Sequence, residues 1–337
     1  MEAFLPYIFI AVLFMVWLNT VPVMILVERK VSGWLQYRVG PNRVGPWGLL
    51  QPIADAAKFL SKEDVIPYHV NKWLYVFAPA LMVFPAFFVI GVIPVGVLTL
   101  GGKEILIQIG QTNIGILFVL AVSSLAVYSI TFSAWASNNK YSLLGGLRSA
   151  AQMMSYELPM GLSILGTIML VGSLRLEDVV NFQMNSYWGI VWQPLGALIF
   201  ITTAFAETNR LPFDLAEAEA ELVGGYHTEY SSMKFAMFFL GEYCNMLTAS
   251  VMITLLFLGG WNVPFLQSMQ MDQFTKEIVQ IVGFSLKVVF LMFFFVWVRW
   301  TLPRFRYDQL MHFGWKTLIP LALANVIITA IVMAVVK

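Results

Sequence analysis

Long apolar stretches recur along this chain with short polar segments between them, and this pattern restricts the fold more than any other feature. A membrane-spanning helix needs roughly 20 mostly apolar residues, and a window of that length finds eight such stretches. The predicted spans are 4–27, 74–98, 113–136, 146–171, 189–206, 236–259, 280–300 and 317–336. Of the 337 residues, 59% are hydrophobic and only 12% are charged, whereas soluble domains are about 25% charged. The sequence therefore predicts an all-α polytopic membrane protein with a single membrane domain over 1–337, and it excludes a water-soluble enzyme and a disordered chain.

The positive charges between the predicted spans indicate an orientation. Fifteen of the 20 lysines and arginines fall on one side, four fall on the other, and Lys287 lies inside a span. Because cytoplasmic loops are rich in Lys and Arg, we expect the richer side to be cytoplasmic and both termini to be extracytoplasmic. An even number of spans is then required, and eight satisfies this. The first stretch carries Glu2 and has no basic region before it, so we interpret it as a retained helix and not as a signal peptide.

The first long cytoplasmic loop, 28–73, contains a predicted amphipathic helix. Its apolar residues recur at helical spacing, and its proline stands in the first turn, where a missing N–H is tolerated. The repeating apolar positions are Leu49, Ile53, Ala56 and Leu60, and the proline is Pro52. Such a helix suits the membrane interface. The pattern leaves two alternatives open, a roof over a cavity that opens toward lipid and a linker helix packed on its neighbours.

The same loop carries Arg38 and Arg43 among two Gly-Pro steps. These arginines could simply anchor the chain at the cytoplasmic surface. Gly-Pro steps fix turns, however, and anchors do not need rigid turns. We therefore predict that this basic loop is a docking surface for another protein.

The second long cytoplasmic loop, 207–235, is acidic. Pro212 and the glycines at 224–225 mark the start and the end of a predicted helix. Its carboxylates at i, i+3 and i+7 would share one face, with a fourth pointing the other way; these residues are Asp214, Glu217, Glu221 and, opposite them, Glu219. Solvated acidic helices are the usual explanation of such a run. Because apolar residues are interleaved here, the alternative is a partly buried cluster whose raised, coupled pKa values let it exchange protons.

Three ionisable residues lie inside predicted spans. They are Glu157 in the fourth span, Glu242 in the sixth and Lys287 in the seventh. Each costs about 2.5–3.5 kcal/mol if it faces lipid. We therefore expect them to line a hydrated path, and the alternative is a buried Glu–Lys pair that aligns the helices.

Cysteine and histidine usage limits the cofactors that this chain holds. The one cysteine, Cys244, cannot supply the four thiolates of an iron–sulfur cluster. The histidines, His69, His227 and His312, lie outside the predicted spans, so a haem within the membrane is not expected. No metal or nucleotide motif is present, and a net charge of +1 gives no attraction to nucleic acid. Electrons, if the chain handles any, are expected to come from a partner.

Several long motifs occur in a characteristic order over the whole chain. They are 28–30 (ERK), 36–46 (QYRVGPNRVGP), 50–55 (LQPIAD), 138–145 (NNKYSLLG), 155–157 (SYE), 206–222 (AETNRLPFDLAEAEAEL) and 299–310 (RWTLPRFRYDQL). In these motifs the chain resembles the quinone-site membrane subunit, the H subunit, of respiratory complex I (NADH–quinone oxidoreductase).

This resemblance implies residue roles. The quinone-chamber residues would be Glu28, Arg29, Asp55, Glu207 and Tyr230. The proton-path residues would be Asp214, Glu217, Glu219, Glu221, Glu157 and Glu242. The portal for the quinone tail would lie among 4–27, 236–259 and 50–62.

The resemblance also implies a setting. It implies an eight-helix subunit at the heel of the membrane arm of a proton-pumping complex, in a bacterial inner (plasma) membrane. Quinone (ubiquinone or menaquinone) would be the substrate, and lipid would surround the helices. The iron–sulfur clusters, FMN and NADH would be held by partner subunits of the peripheral arm, with small and antiporter-like membrane subunits alongside. The chain would be catalytic only within that assembly.

Three other functions remain open from the residues alone. A homologous anchor subunit of a membrane-bound hydrogenase shares motifs with this chain and would co-purify with a nickel–iron subunit. A stand-alone ion transporter would need no partner, which the rigid basic loop disfavours. A passive scaffold would have no reason to bury carboxylates in its spans.

Overall fold

The computed structural model describes residues 5–100, 103–216, 219–264, 266 and 271–336. In these ranges the chain is mainly helical, and six helices are long and apolar enough to cross a membrane. They are Lys72–Ile90, Gly115–Ala136, Lys140–Val171, Ser232–Phe257, Gln273–Thr301 and Tyr307–Val335. The chain is therefore a polytopic, largely α-helical membrane protein.

Helices follow one another with short connections. In chain order they are α1 (Leu5–Leu35), α2 (Gln51–Ser61), α3 (Lys72–Ile90), α4 (Gly115–Ser123), α5 (Leu125–Ala136), α6 (Lys140–Val171), α7 (Leu176–Asn185), α8 (Gly189–Trp192), α9 (Pro194–Glu207), α10 (Glu219–Leu222), α11 (Ser232–Phe257), α12 (Gln273–Thr301), α13 (Tyr307–His312) and α14 (Ile319–Val336). A π-helical turn, Phe313–Leu318, joins α13 to α14.

Two of the eight predicted spans differ from the six long helices. The first, 4–27, falls within α1, which continues as helix to Leu35, with residues 31–33 buried inside the protein. Glu28 and Arg29 therefore stand on a helix and not in a loop. The fifth, 189–206, is divided at Gln193 into α8 and the 14-residue α9.

Gln193 forms a buried polar connection to the C-terminal helix. Its side-chain oxygen accepts from the Asn325 amide at 2.8 Å, and its own amide donates to the Thr329 hydroxyl at 2.8 Å. The Thr329 hydroxyl in turn donates to the Asn325 carbonyl at 2.7 Å. All three side chains are buried. The connection fixes α14 against α9, because every member would otherwise lack a partner in an apolar interior.

The prediction of an all-α fold needs one correction. Strands β1 (Val97–Leu100) and β2 (Lys103–Leu106) pair antiparallel, with Val97 opposite Leu106. The end of the predicted span 74–98 therefore belongs partly to a hairpin, which a search for apolar residues alone does not separate from a helix. The buried Glu277 carboxylate attaches the hairpin to α12, since it accepts from the Thr99 backbone N–H at 2.7 Å and from the Thr99 hydroxyl at 2.5 Å.

Lys287 does not form the Glu–Lys pair that was the structural alternative. Its ammonium donates three hydrogen bonds, at 2.7, 2.9 and 2.7 Å, to the carbonyls of Leu258, Gly260 and Asn262. It also lies 4.6 Å from the centre of the Trp188 ring. All three protons are used in closing the turn after α11, so the alternative of a Glu–Lys pair was wrong: backbone carbonyls at a helix C-terminus satisfy the charge.

The helix predicted from Pro212 onward is also absent from the described part of the acidic loop. Residues 208–216 form turns, and regular helix appears only in α10. The Gln152 amide donates to the carbonyls of Ala206 and Phe213, at 2.7 and 2.6 Å. A side chain from α6 thus takes carbonyls that a helix would have used, which is a tertiary effect that local propensity does not include.

Helix α11 is the centre of the bundle. Of its most apolar 18-residue window, 83% is buried, against 22–44% for the other five long helices. Charged groups on α11 are therefore enclosed by protein and not by lipid.

Candidate functional site

A cavity of about 600 Å³ lies among α1, α2 and α11. Most of its lining is apolar, and a few polar groups stand on one side; the lining includes Leu18, Val21, Pro22, Ile25, Glu28, Arg29, Ser32, Pro52, Asp55, Ala56, Lys58, Phe59, Met233, Phe235, Ala236, Met237, Phe239, Leu240, Tyr243 and Trp300. Ligand sites typically combine apolar walls with a small number of placed polar groups. The cavity is thus suited to a molecule with a long apolar part and a polar end.

Glu28 is the buried acid of this cavity. Its carboxylate accepts from the Tyr243 hydroxyl at 2.7 Å and pairs with Arg210 at 3.0 Å. The Arg299 guanidinium pairs with the other oxygen. Three donors from three segments converge on one carboxylate, and this arrangement stabilises its ionised form.

Arg210 connects Glu28 to a second acid, Glu242. The Nε atom of Arg210 lies 2.5 Å from a Glu242 oxygen, and the guanidinium stacks 4.3 Å from the centre of the Tyr243 ring. Arg210 is only 3% exposed. Burial opposes its charge, but the two carboxylates raise the pKa of Arg210 well above its usual value. We call Glu28, Glu242, Arg210, Arg299 and Tyr243 the buried ion network.

Arg29 and Asp55 lie at the exposed edge of the cavity. Arg29 Nη1 is 2.5 Å from Asp55 Oδ2, and the Gln51 amide donates to the other Asp55 oxygen at 3.2 Å. The arginine side chain is 46% exposed. This pair connects α1 to α2 and stands one residue along α1 from the buried ion network.

Glu207 borders a separate small cavity of about 30 Å³ between α4, α6, α9 and α11. The Ser123 hydroxyl hydrogen-bonds to the Glu207 carboxylate, and Glu157 is close enough to repel it. The Thr248 hydroxyl also borders this cavity and has no hydrogen-bond partner in the described residues. A polar space of this volume holds one or two water molecules.

Glu157 stands on α6 with a partly buried side chain. Within the described ranges it forms no ion pair, in contrast to Glu28 and Glu242. Its nearest titratable influence is Glu207, one helix away. The structure thus brings Glu157 and Glu207 together, and it brings Glu28 and Glu242 together in a different group.

These long motifs and this arrangement agree with known proteins. Residues 8–330 match the family described as NADH dehydrogenase. The chain belongs to that family. It is 50% identical over 321 residues to an NADH-quinone oxidoreductase H subunit, the first of two forms by name, of Geobacter metallireducens, and the match covers 95% of this chain and 94% of the relative.

Other relatives agree over similar lengths. The NADH-quinone oxidoreductase H subunit of Protochlamydia amoebophila is 52% identical over 308 residues, which is 91% of each chain. NADH-quinone oxidoreductase subunit 8 of Rhodothermus marinus is 50% identical over 327 residues, which is 93% of each chain. These comparisons give no support to a hydrogenase anchor or to a stand-alone transporter.

In this member of the NADH dehydrogenase family, the acidic-loop carboxylates have separate arginine partners. Asp214 pairs with Arg304 at 2.7 Å, and Glu221 pairs with Arg148 at 2.7 Å. The two acids therefore do not form the crowded group that helical spacing predicted. Two further predicted acids add little here: Glu217 lies outside the described residues, and Glu219 begins α10 with a side chain that the structure does not describe.

Tyr230 is buried in a group of aromatic rings next to the cavity. It stacks on Tyr75 with 4.1 Å between ring centres and an angle of 6°. Burial, and secondarily Tyr75, raise the pKa of Tyr230. His227 stacks on Phe235 at 5.1 Å, and burial lowers the pKa of His227 to about 4. Because Phe235 lines the cavity, these rings support one of its walls.

Arg38 and Arg43 lie on an exposed loop whose backbone is held in a fixed shape. Pro46 opens a short 3₁₀ turn, and Gly48 has a φ of +76°. A Cβ on Gly48 would lie 2.2 Å from the Pro41 carbonyl oxygen, so the turn needs glycine. Both arginines are exposed, and they stand apart from the cavity.

Sequence reasoning missed three members of the buried ion network. Arg210 and Arg299 were counted only as positive charges on the cytoplasmic side, and Tyr243 was not considered. One signal was present, because an arginine in the middle of an acidic, apolar segment is well placed to bind buried carboxylates.

Proposed function

We propose that this chain is the quinone-site membrane subunit of a proton-pumping NADH–quinone oxidoreductase. The single observation that supports this most is the cavity among α1, α2 and α11, because its apolar walls lead to the buried ion network. A quinone has an apolar tail and a polar ring. The tail would occupy the apolar walls, and the ring would lie toward the polar end, where the partner subunits complete the chamber.

The chain contributes binding and electrostatics to this reaction. Reduction of a quinone, ubiquinone or menaquinone, takes two electrons and two protons. The electrons come from an iron–sulfur cluster of a partner subunit, which receives them from NADH through FMN on other partners. The described residues of this chain include no group of three or more His, Cys, Asp or Glu side chains that could hold a metal. This chain would be catalytic only within the assembly.

The buried ion network would couple this chemistry to proton movement. A change of charge in the chamber acts on Glu28, which shares Arg210 with Glu242. Arg210 would respond by shifting toward one carboxylate, because interactions at low dielectric are strong. Glu207 and Glu157 would carry the change farther into the membrane, through the small cavity beside Glu207.

The proposed topology follows from the charge asymmetry. Eight spans, made of the six long helices with α1 and α8–α9, would place both termini outside the cytoplasm of a bacterial inner membrane. The acidic loop and the rigid loop with Arg38 and Arg43 would then face the peripheral arm. The small membrane subunits and the antiporter-like subunits would pack on the lipid-exposed helices.

A substitution that fills the cavity tests the proposal. Ala236 lines the cavity on α11, and Ala236→Trp would occupy space that the quinone tail needs. We expect assembled complex with quinone reductase activity reduced at least tenfold. Ala334→Trp, at an exposed position of α14, is the matched control and should leave activity unchanged. Normal activity and normal KM in the Ala236→Trp complex would refute the proposal.

A further inference from the structure

Helix α2 forms one wall of the cavity without being part of the core. It presents Pro52, Asp55, Ala56, Lys58 and Phe59 to the cavity, yet none of its residues is buried. The apolar packing that fixes most helices is therefore weak for this one. Polar contacts at its two ends are left to determine where it lies.

At its N-terminal end, α2 is held by the Arg29–Asp55 pair, which joins it to α1. At its C-terminal end, it is held to the start of α11 by a different group of contacts. We name this second group the clasp. It joins residues 59–65 to residues 231–234.

The hydroxyl of Ser232 is the centre of the clasp. It lies 2.9 Å from the Phe59 carbonyl oxygen and 2.9 Å from the Lys62 carbonyl oxygen. Carbonyls at the end of a helix lack intrahelical partners, so one buried hydroxyl serves two of them. Ser232 has a φ of +53°, a conformation that a serine rarely adopts unless its surroundings hold it there.

Two further contacts complete the clasp. The Val65 backbone N–H donates to the Ser231 hydroxyl at 3.2 Å. Lys234 Nζ lies 2.5 Å from Asp64 Oδ2 and 5.4 Å from the centre of the Tyr75 ring. The lysine side chain is 13% exposed, so the pair is shielded on one side.

We propose that the clasp fixes the separation between α2 and α11 and thereby sets the preference of the cavity for ligands with a long apolar tail. Ser232, Asp64 and Lys234 act as positioning residues, since they hold two walls without lining the space between them. This inference rests on the proposed function, because it assumes that the cavity receives a tail. A short-tailed ligand that reaches the polar end would make few contacts with these two walls.

The test uses the assembled complex with Asp64→Asn, Lys234→Gln and the double variant. Quinone reduction is measured with a long-tailed quinone and with a short-tailed analogue. We expect the apparent KM for the long-tailed quinone to rise about three- to tenfold, the factor for losing one partly buried polar contact. The KM for the short-tailed analogue should stay unchanged. The double variant should match the single variants, because both remove the same pair.

Two controls separate positioning from general damage. Lys234→Arg keeps the cation and should restore the wild-type ratio of the two KM values. Glu177→Gln breaks a remote pair with Arg175, 2.9 Å long, and should leave that ratio unchanged. An equal change of KM for both quinones, or no change for either, would overturn the inference.

The outcome for Ala236→Trp shows which proposal has failed. If that variant loses activity while the clasp variants keep the wild-type KM ratio, the cavity is the tail site and the clasp inference is wrong. If Ala236→Trp has normal activity, the proposed function itself is wrong, whatever the clasp variants show.

Discussion

The Nε atom of Arg210 lies 2.5 Å from a carboxylate oxygen of Glu242 in the centre of the bundle. The same guanidinium pairs with Glu28 from a different helix. One cation thus connects an acid at the cavity to an acid inside a predicted span. The two carboxylates depend on Arg210 to remain ionised away from water.

Arg210→Gln should destabilise the protein strongly. It leaves Glu242 without its cation, and removal of one partner of a buried pair costs about 3–5 kcal/mol. Thermal unfolding of the purified complex, and its amount on a native gel, would measure this. The control is Arg306→Gln, whose pair with Asp308 is 76% and 63% exposed and should be worth about 0–1 kcal/mol. Equal effects of the two variants would contradict the prediction.

Glu157→Gln and Glu242→Gln should have different effects. Glu157 has no ion pair in the described residues, so its glutamine variant should assemble and melt as the wild type does. If Glu157 carries protons, acidification by reconstituted vesicles should fall while the amount of complex stays normal. Glu242→Gln weakens the contact with Arg210 and should in addition lower stability by about 1–3 kcal/mol. Full pumping in both variants would reject the proton-path role.

His227 should make stability depend on pH in the acid range. Its folded pKa is about 4, against 6.5 for a free imidazole, because burial disfavours the charged ring. The unfolded chain therefore binds the proton first. The stabilisation is fully present above about pH 6.5 and is lost as the pH falls toward 4, by on the order of 3 kcal/mol.

The matched variant is His227→Phe, which keeps a ring against Phe235 and cannot titrate. Melting temperatures of both proteins, measured from pH 7.5 to 4.5, should diverge, with the wild type losing more on acidification. Parallel curves would show that His227 does not titrate in this way.

Lys287→Met should loosen the turn after α11. Three carbonyls of that turn lose their donor, and each unsatisfied buried group costs about 1–3 kcal/mol. Hydrogen–deuterium exchange should become faster in residues 258–262. Lys276→Met, near the start of the same helix, should not change it. Unchanged protection in Lys287→Met would mean that the lysine follows the turn and does not hold it.

Arg38→Ala and Arg43→Ala should reduce attachment of the peripheral arm. Both side chains are exposed on a loop of fixed shape, and a charge pair that becomes buried in an interface is costly to lose. The ratio of complete complex to membrane arm on a native gel is the measurement. Lys140→Ala, another exposed cation on the same predicted side, is the control. Complete assembly with normal activity in both arginine variants would argue against docking.

Sequence patterns predicted the spans well because burial in lipid requires long apolar runs. The helix Gln273–Thr301 and the helix Ser232–Phe257 both contain predicted spans within them. The pattern failed where a tertiary contact decided the backbone. Residues 208–216 form turns because Gln152, from a helix distant in sequence, hydrogen-bonds their carbonyls. The strand at Val97 was hidden because an apolar strand and an apolar helix end look the same in a 20-residue window.

The site was predictable in its residue types and not in its pairings. Burial of Glu242 followed from its depth in a span. Its partner did not, because Lys287 was the cation inside a span and Arg210 was expected in a loop outside the bundle. Only folding shows that the loop at Arg210 enters the bundle. Spacing along one helix also grouped Asp214 with Glu221, whereas the fold gives each its own arginine.

The contact of Gln193 with Asn325 has a consequence for the order in which the protein is made. The two residues are 132 positions apart, so the ribosome completes Gln193 well before Asn325. During that interval the glutamine amide stands in the membrane without its permanent partner. Arrival of α14 satisfies it in one register only, because a shift by one residue would turn Asn325 and Thr329 away. The C-terminal helix therefore works as a latch on biosynthesis: the membrane domain stays open to rearrangement until α14 inserts, and then it is fixed.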